Sequence, residues 1–154
     1  MNSLSDKDII KALYKASQNN VNVLLNVRGI CLLVPGVKGQ SENISVISII
    51  DRFLEHSRMY YFQNSGEEEI YLSSADCMPR NLERRIELLF PIIDEEVFQN
   101  LKDLLLIYFS DNQKAFLLQS DGSWKQRNRE KGEEKIRAQK LIHESFKKKN
   151  ETLY

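Results

Sequence analysis

Ile9, Ile10, Leu13 and Ala16 recur at helical spacing near the start of the chain. With Ser5 and Asp8 ahead of them, they predict an amphipathic helix reaching about Asn20, where Gln18-Asn19-Asn20 makes a polar turn. The period then changes. Val21, Val23, Leu25 and Val27 alternate, and Leu24 is also apolar, as in a buried strand that delivers Arg28 and Gly29 at its C-terminal end. In open α/β sheets, ligands collect at such strand ends. Residues 35–43 (PGVKGQSEN) carry most of the local punctuation and read as a loop long enough to serve a site, followed by a second apolar run at residues 44–50.

Two β-rich runs, residues 57–63 and 70–73, flank a segment that opens with Asn64-Ser65-Gly66, which predicts a hairpin. Residues 86–93 read as a further strand. Asp94 is placed to cap a helix with Glu95 and Glu96 in its first turn and Val97, Leu101, Leu104, Leu105 and Tyr108 on its buried face. Residues 114–119 and 123–126, around Asp121-Gly122, form a terminal hairpin with Phe116 and Trp124 in its core. From Arg127 onward the pattern is that of a charged helix ending at Lys147, Lys148 and Lys149. This order predicts an α/β domain built on a mixed sheet flanked by helices.

At 154 residues, 42% apolar and 29% charged, the chain suits one domain over residues 1–154 with a substantial core. Twenty-two basic residues balance 22 acidic ones, so no net field draws the chain to nucleic acid or an anionic membrane, and an anion site must be local. Cys31 and Cys77 show no CxxC spacing and fit reduced thiols of a cytoplasmic protein, with no cysteine metal site. No apolar stretch approaches the roughly 20 residues of a membrane helix, and the opening MNSLSDKDII lacks a signal-peptide pattern.

One of the two histidines, His56, stands between an apolar run and a segment studded with arginines and hydroxyls. Histidine relays protons near neutral pH and can attack phosphorus, while Arg58, Arg80, Arg84 and Arg85 offer planar forks for phosphate oxygens. In a strand, His56 and Arg58 would share one face. Ser73, Ser74 and Asn81 add hydroxyl and amide donors. The combination points to a phosphate-handling enzyme. Other candidates fit plainer roles. His143 sits on a polar helix, Glu67-Glu68-Glu69 faces water beside a turn, and the lysine tail is solvated. Pro35-Gly36-Val37-Lys38-Gly39 lacks the Gly-Lys-Ser/Thr ending of a P-loop, although its backbone amides can meet an anion.

His56-Ser57-Arg58 followed by Ser73-Ser74-Ala75-Asp76 resembles the H-x-K and G-S-x-N elements of the phospholipase D superfamily, with arginine in place of lysine. Over a longer stretch, VRGICLLVPGVKGQSENISVISIIDRFLEHSRMYYF and IYLSSADCMPRNLERRIELLFPI resemble the C-terminal catalytic region of the bacterial polyphosphate kinase family, which belongs to that superfamily. The strongest blocks are residues 27–39, 41–43, 52–58 and 73–91. The resemblance implies a phospholipase D-like fold and reversible transfer of the ATP terminal phosphate to inorganic polyphosphate, with Mg2+, through a phosphohistidine. By position, Arg28 contacts nucleotide phosphates and His56 is a nucleotide contact and general acid/base. Arg85 and Glu87 line the path of the phosphate chain.

The family's phosphorylated histidine lies in a preceding domain, within its own H-x-K element, and no second such element occurs here. The chain is therefore expected to be the second phospholipase D-like domain of such an enzyme, without its N-terminal domains and inactive alone. The complete enzyme is expected to be a homo-oligomer acting on ATP, ADP and polyphosphate. Two other readings remain open: a phosphodiesterase or nuclease pairing two copies of His56 across a symmetric dimer, and a non-catalytic phosphate-binding module.

Overall fold

A computed structural model describes the backbone of residues 1–151 and the side chains of residues 1–147. The first helix, α1 (Lys7–Gln18), starts one residue later than Ser5 capping would give. Asp6 is the cap, its carboxylate accepting from the Asp8 and Ile9 amides at 3.1 and 2.9 Å. Asn20, at φ +62°, turns the chain out of the helix towards β1 (Val23–Asn26).

Strand β2 (Ile44–Ile49) is the centre of the molecule. It pairs parallel with β1 and antiparallel with β6 (Ala115–Leu118), which pairs antiparallel with β7 (Trp124–Gln126). The alternation of a strand places its side chains on opposite faces. Ile44 and Val46 accordingly enter a core with Leu4, Ile10, Leu25, Val27 and Leu33, while Ile47 and Ile49 enter another with Tyr108, Ala115 and Ala138. A near-continuous apolar run is what a central strand covered on both faces requires.

A separate antiparallel sheet carries the site. β3 (Met59–Phe62) pairs with β4 (Glu69–Ser73), and β4 with β5 (Leu89–Pro91). The β3–β4 hairpin turns through a short 3-10 segment at Asn64–Gly66, as expected, with Asn64 and Ser65 in the left-handed region. The fold is thus α/β, with a four-stranded mixed sheet beside a three-stranded antiparallel one rather than a single sheet. Helices α2 (Pro79–Arg84), α3 (Glu95–Ser110) and α4 (Ala138–Glu151) complete it. Asp94 caps α3 as expected, accepting from the Val97 amide at 2.9 Å.

Several expectations are corrected. The strand read over residues 86–93 shrinks to Leu89–Pro91, and Ile86 is fully exposed. Val97 on α3 is exposed, as are Phe116 and Trp124 on the terminal hairpin, whose second strand, β7, is at the edge of the sheet. The helix read from Arg127 begins only at Ala138. Asn112 takes up the intervening backbone, donating to the Glu134 carbonyl at 2.7 Å and accepting from the Ile136 amide at 2.9 Å. Those groups are thereby withdrawn from a helical ladder. His143 is exposed on α4, whereas the side chains of Lys148 and Lys149 lie outside the described residues.

The 35–43 loop folds on itself. Ser41 is fully buried, its hydroxyl donates to the Val34 carbonyl and accepts from the Val37 amide, and its carbonyl accepts from Gly36. The amides of Gly36 and Val37 are therefore consumed internally and not offered to an anion. Both cysteines are free thiols, and among the described residues no helix is long and apolar enough to cross a membrane.

Candidate active site

Beyond β4 the chain turns inward and buries Asp76. Its Oδ1 accepts from the amides of Asn2 at 2.8 Å and Ser3 at 3.2 Å and from Arg58 Nε at 3.2 Å, and its Oδ2 accepts from Arg58 Nη2 at 3.1 Å. Burial alone would raise the Asp76 pKa. The Arg58 guanidinium and the two amides outweigh burial and hold the carboxyl below its usual range. Arg58 Nη1 donates to the His56 carbonyl at 3.0 Å. The guanidinium expected to share an anion with His56 is instead engaged by Asp76, since residues 56–58 precede β3 and period-two geometry does not govern them.

His56 is exposed at the edge of a cleft of about 440 Å³, bordered by Glu55, Arg58, Ser73, Leu104 and Tyr108. Its imidazole makes no hydrogen bond among the described residues.

Arg28 follows β1, as expected, and reaches the same network from the other side. Its Nε and Nη2 donate to Asn2 Oδ1 at 3.3 and 2.8 Å, and its Nη1 is buried with no hydrogen-bond partner among the described residues. A buried guanidinium N–H without a hydrogen-bond partner is costly.

The third part is centred on Glu87. One carboxylate oxygen accepts from the Ser74 hydroxyl, and the other accepts from Asn81 Nδ2 at 2.6 Å and lies 3.5 Å from Arg85 Nε. The Ser74 and Asn81 hydrogen bonds, foremost among the causes, keep Glu87 below the usual carboxylate range. Asn81 is buried and its Oδ1 has no hydrogen-bond partner among the described residues, whereas the Arg85 side chain is 61% exposed. Ser73 donates to the Leu88 carbonyl at 2.9 Å, and Ser74 also accepts from the Leu88 amide. The two hydroxyls expected to face phosphate thus tie β4 to the segment bearing Glu87.

The structure connects Arg28, Asn2, Asp76, Arg58 and the His56 backbone through hydrogen bonds, and Arg58 lies close enough to Glu87 for its charge to act there. Asn2 and the organising role of Asp76 escape sequence reasoning, because the contact between them spans 74 residues and no local pattern announces it. Among the described residues, no three His, Cys, Asp or Glu side chains are grouped to hold a metal ion.

Comparison with known proteins gives one answer. Residues 1–139 match the family described as polyphosphate kinase C-terminal domain 2. The chain is 50% identical over 143 residues to a polyphosphate kinase of Rhodopirellula baltica, covering 93% of this chain and 17% of that protein. It is 55% identical over 124 residues to a polyphosphate kinase of Pseudomonas aeruginosa, covering 80% of this chain and 18% of that protein. The crystal structure of polyphosphate kinase from Porphyromonas gingivalis superimposes with a TM-score of 0.94 at 43% identity, over 99% of this chain and 23% of that one. The chain thus spans less than a quarter of the length of these relatives, and it belongs to the polyphosphate kinase C-terminal domain 2 family.

Proposed function

We propose that this chain forms one wall of a polyphosphate kinase active site, in which the terminal phosphate of ATP passes reversibly to inorganic polyphosphate. The observation that carries the reading is His56: exposed, with no hydrogen bond to its imidazole among the described residues, yet held through its carbonyl by Arg58, itself locked on Asp76. A free ring on a fixed backbone suits a group that must meet a phosphoryl oxygen at a set place and donate or accept a proton there. Arg28, just beyond the C-terminal end of β1, takes nucleotide phosphate oxygens. Arg85 neutralises the polyanion, and Glu87, fixed by Ser74 and Asn81, orients it. In-line phosphoryl transfer asks for this kind of positioning and charge neutralisation.

The phosphorylated histidine belongs to a preceding domain of the complete enzyme, which works in the cytoplasm as a homo-oligomer. Mg2+ arrives with the nucleotide phosphates, which it prefers to all-protein cages. The test is to incubate this chain with Mg2+ and γ-labelled ATP, scoring acid-labile protein phosphate and labelled polyphosphate, with His56→Ala alongside. The expected result is neither product. Label that depends on His56 would mean that the chain completes a site by itself, most simply by pairing two copies, and would contradict the division of labour proposed here.

A further inference from the structure

The segment that delivers His56, residues 50–58, has no regular secondary structure. It is nevertheless tied down at alternate residues. Arg137 at the start of α4 grips Asp51 with two charge-assisted bonds, Nε to Oδ2 at 2.7 Å and Nη2 to Oδ1 at 2.6 Å. The Gln139 side-chain amide pairs with the Phe53 backbone in both directions, accepting from the amide at 2.8 Å and donating to the carbonyl at 2.8 Å. The same amide nitrogen donates to Glu55 Oε1 at 3.1 Å, and Tyr108 of α3 donates to Glu55 Oε2 at 2.9 Å. Gln139 is 5% exposed. A buried side-chain amide spent on mimicking a neighbouring strand, together with a carboxylate whose two oxygens each have their own donor, is a costly arrangement to keep for chain packing alone.

We infer that Gln139, Glu55 and Tyr108 form a bracket that positions His56 for phosphoryl transfer, an inference that rests on the reading of His56 as the proton-handling group. The bracket acts on the residue immediately before His56, and Arg58 acts on the His56 carbonyl, so the imidazole hangs between two fixed points. None of the three bracket residues need touch substrate; they are positioning residues. Tyr108 stays a donor throughout, because burial first and the Glu55 carboxylate second push its phenol far above the ordinary range. The cleft beside His56 is bordered by Glu55 and Tyr108, so loosening the bracket changes the wall against which a bound phosphate chain would lie.

The test uses Tyr108→Phe, which deletes one donor and keeps the ring, and Gln139→Ala, in two settings. In this chain, amide exchange at Phe53 and the imidazole 15N signals of His56 are followed by NMR, with His143, the only other histidine, as the internal comparison. Gln139→Ala is expected to speed Phe53 exchange at least about tenfold, and both variants to shift or broaden the His56 ring signals. Unmoved Phe53 exchange and His56 signals overturn the bracket.

In a full-length family enzyme carrying this sequence as its C-terminal domain, the same variants are expected to lower kcat roughly ten- to hundredfold with KM for ATP nearly unchanged. A purely structural role would instead lower the amount of folded enzyme and leave kcat per folded molecule intact, which would also overturn the inference. His56→Ala measured alongside separates the two failures. If it too keeps full kcat, the reading of His56 is wrong; if it loses kcat while the bracket variants keep theirs, only the positioning role is wrong.

Discussion

Arg58 and Asp76 meet through two contacts, Nε to Oδ1 at 3.2 Å and Nη2 to Oδ2 at 3.1 Å, and Arg58's remaining amino group holds the His56 carbonyl at 3.0 Å. One ion pair therefore does two jobs: it satisfies a buried carboxylate, and it fixes the backbone of the histidine proposed to handle the phosphoryl proton. A lysine at position 58 would not serve both partners. A lysine offers a single point charge, whereas the planar fork reaches Asp76 and His56 together.

Removing one partner should be costly. Arg58→Met leaves Asp76 buried with only the Asn2 and Ser3 amides, and its destabilisation should be about 3–5 kcal/mol, the range for breaking a buried pair from one side. Urea unfolding of the two chains measures it; a loss within about 0.5 kcal/mol would show that the pair is effectively solvated.

The same pair sets an acid limb. Asp76 titrates below its ordinary value in the folded chain, so the unfolded chain takes up the proton first as pH falls. The stabilisation is complete above the ordinary carboxylate range, about pH 4, and is lost as pH drops through the depressed folded value. Asp76→Asn should flatten the fall of the urea midpoint between about pH 5 and about pH 2 relative to the natural chain. Superimposable acid limbs would assign that fall to other carboxylates.

Arg28→Ala in the full-length enzyme should raise KM for ATP by roughly tenfold or more, since it removes a charged donor proposed to hold nucleotide phosphate oxygens. Steady-state kinetics at fixed Mg2+ read this directly, and an unchanged KM would exclude Arg28 from nucleotide contact.

Asp111 tests the link between sheet and C-terminal helix. Fully buried, it accepts from the amides of Gln113, Lys114 and Ala115 through Oδ1 and from the first amide of α4, Ala138, through Oδ2. Asp111→Asn turns one acceptor into a donor facing N–H groups and should destabilise the chain by about 1–3 kcal/mol. A neutral outcome in urea unfolding would mean that water takes over these amides.

Much of the scaffold was open to reading from pattern alone. The apolar run at residues 44–49 marks the central strand, and Asp94 ahead of Glu95 and Glu96 marks the start of α3. Pattern fails where tertiary partners outbid local preference: the charged stretch after Arg127 looks helical, yet Asn112, far away in the chain, takes its backbone groups. The site divides in the same way. His56, Arg28, Arg85 and Glu87 are candidates through motif resemblance alone, but the contacts that hold them are not legible, because Asp76 to Asn2 spans 74 residues and Gln139 to Phe53 spans 86. Hydrogen bonds over such distances leave no periodic trace in a single sequence.

The central claim is that His56 takes part in phosphoryl transfer without being the phosphorylated group. It is tested most directly by His56→Ala in a full-length family enzyme carrying this domain, with turnover and acid-labile phosphoenzyme measured from γ-labelled ATP. The account predicts a fall in kcat of about 10²- to 10⁴-fold, the usual worth of a general acid or base, in a variant that still accumulates labelled phosphohistidine from the preceding domain. Full turnover in that variant would contradict it.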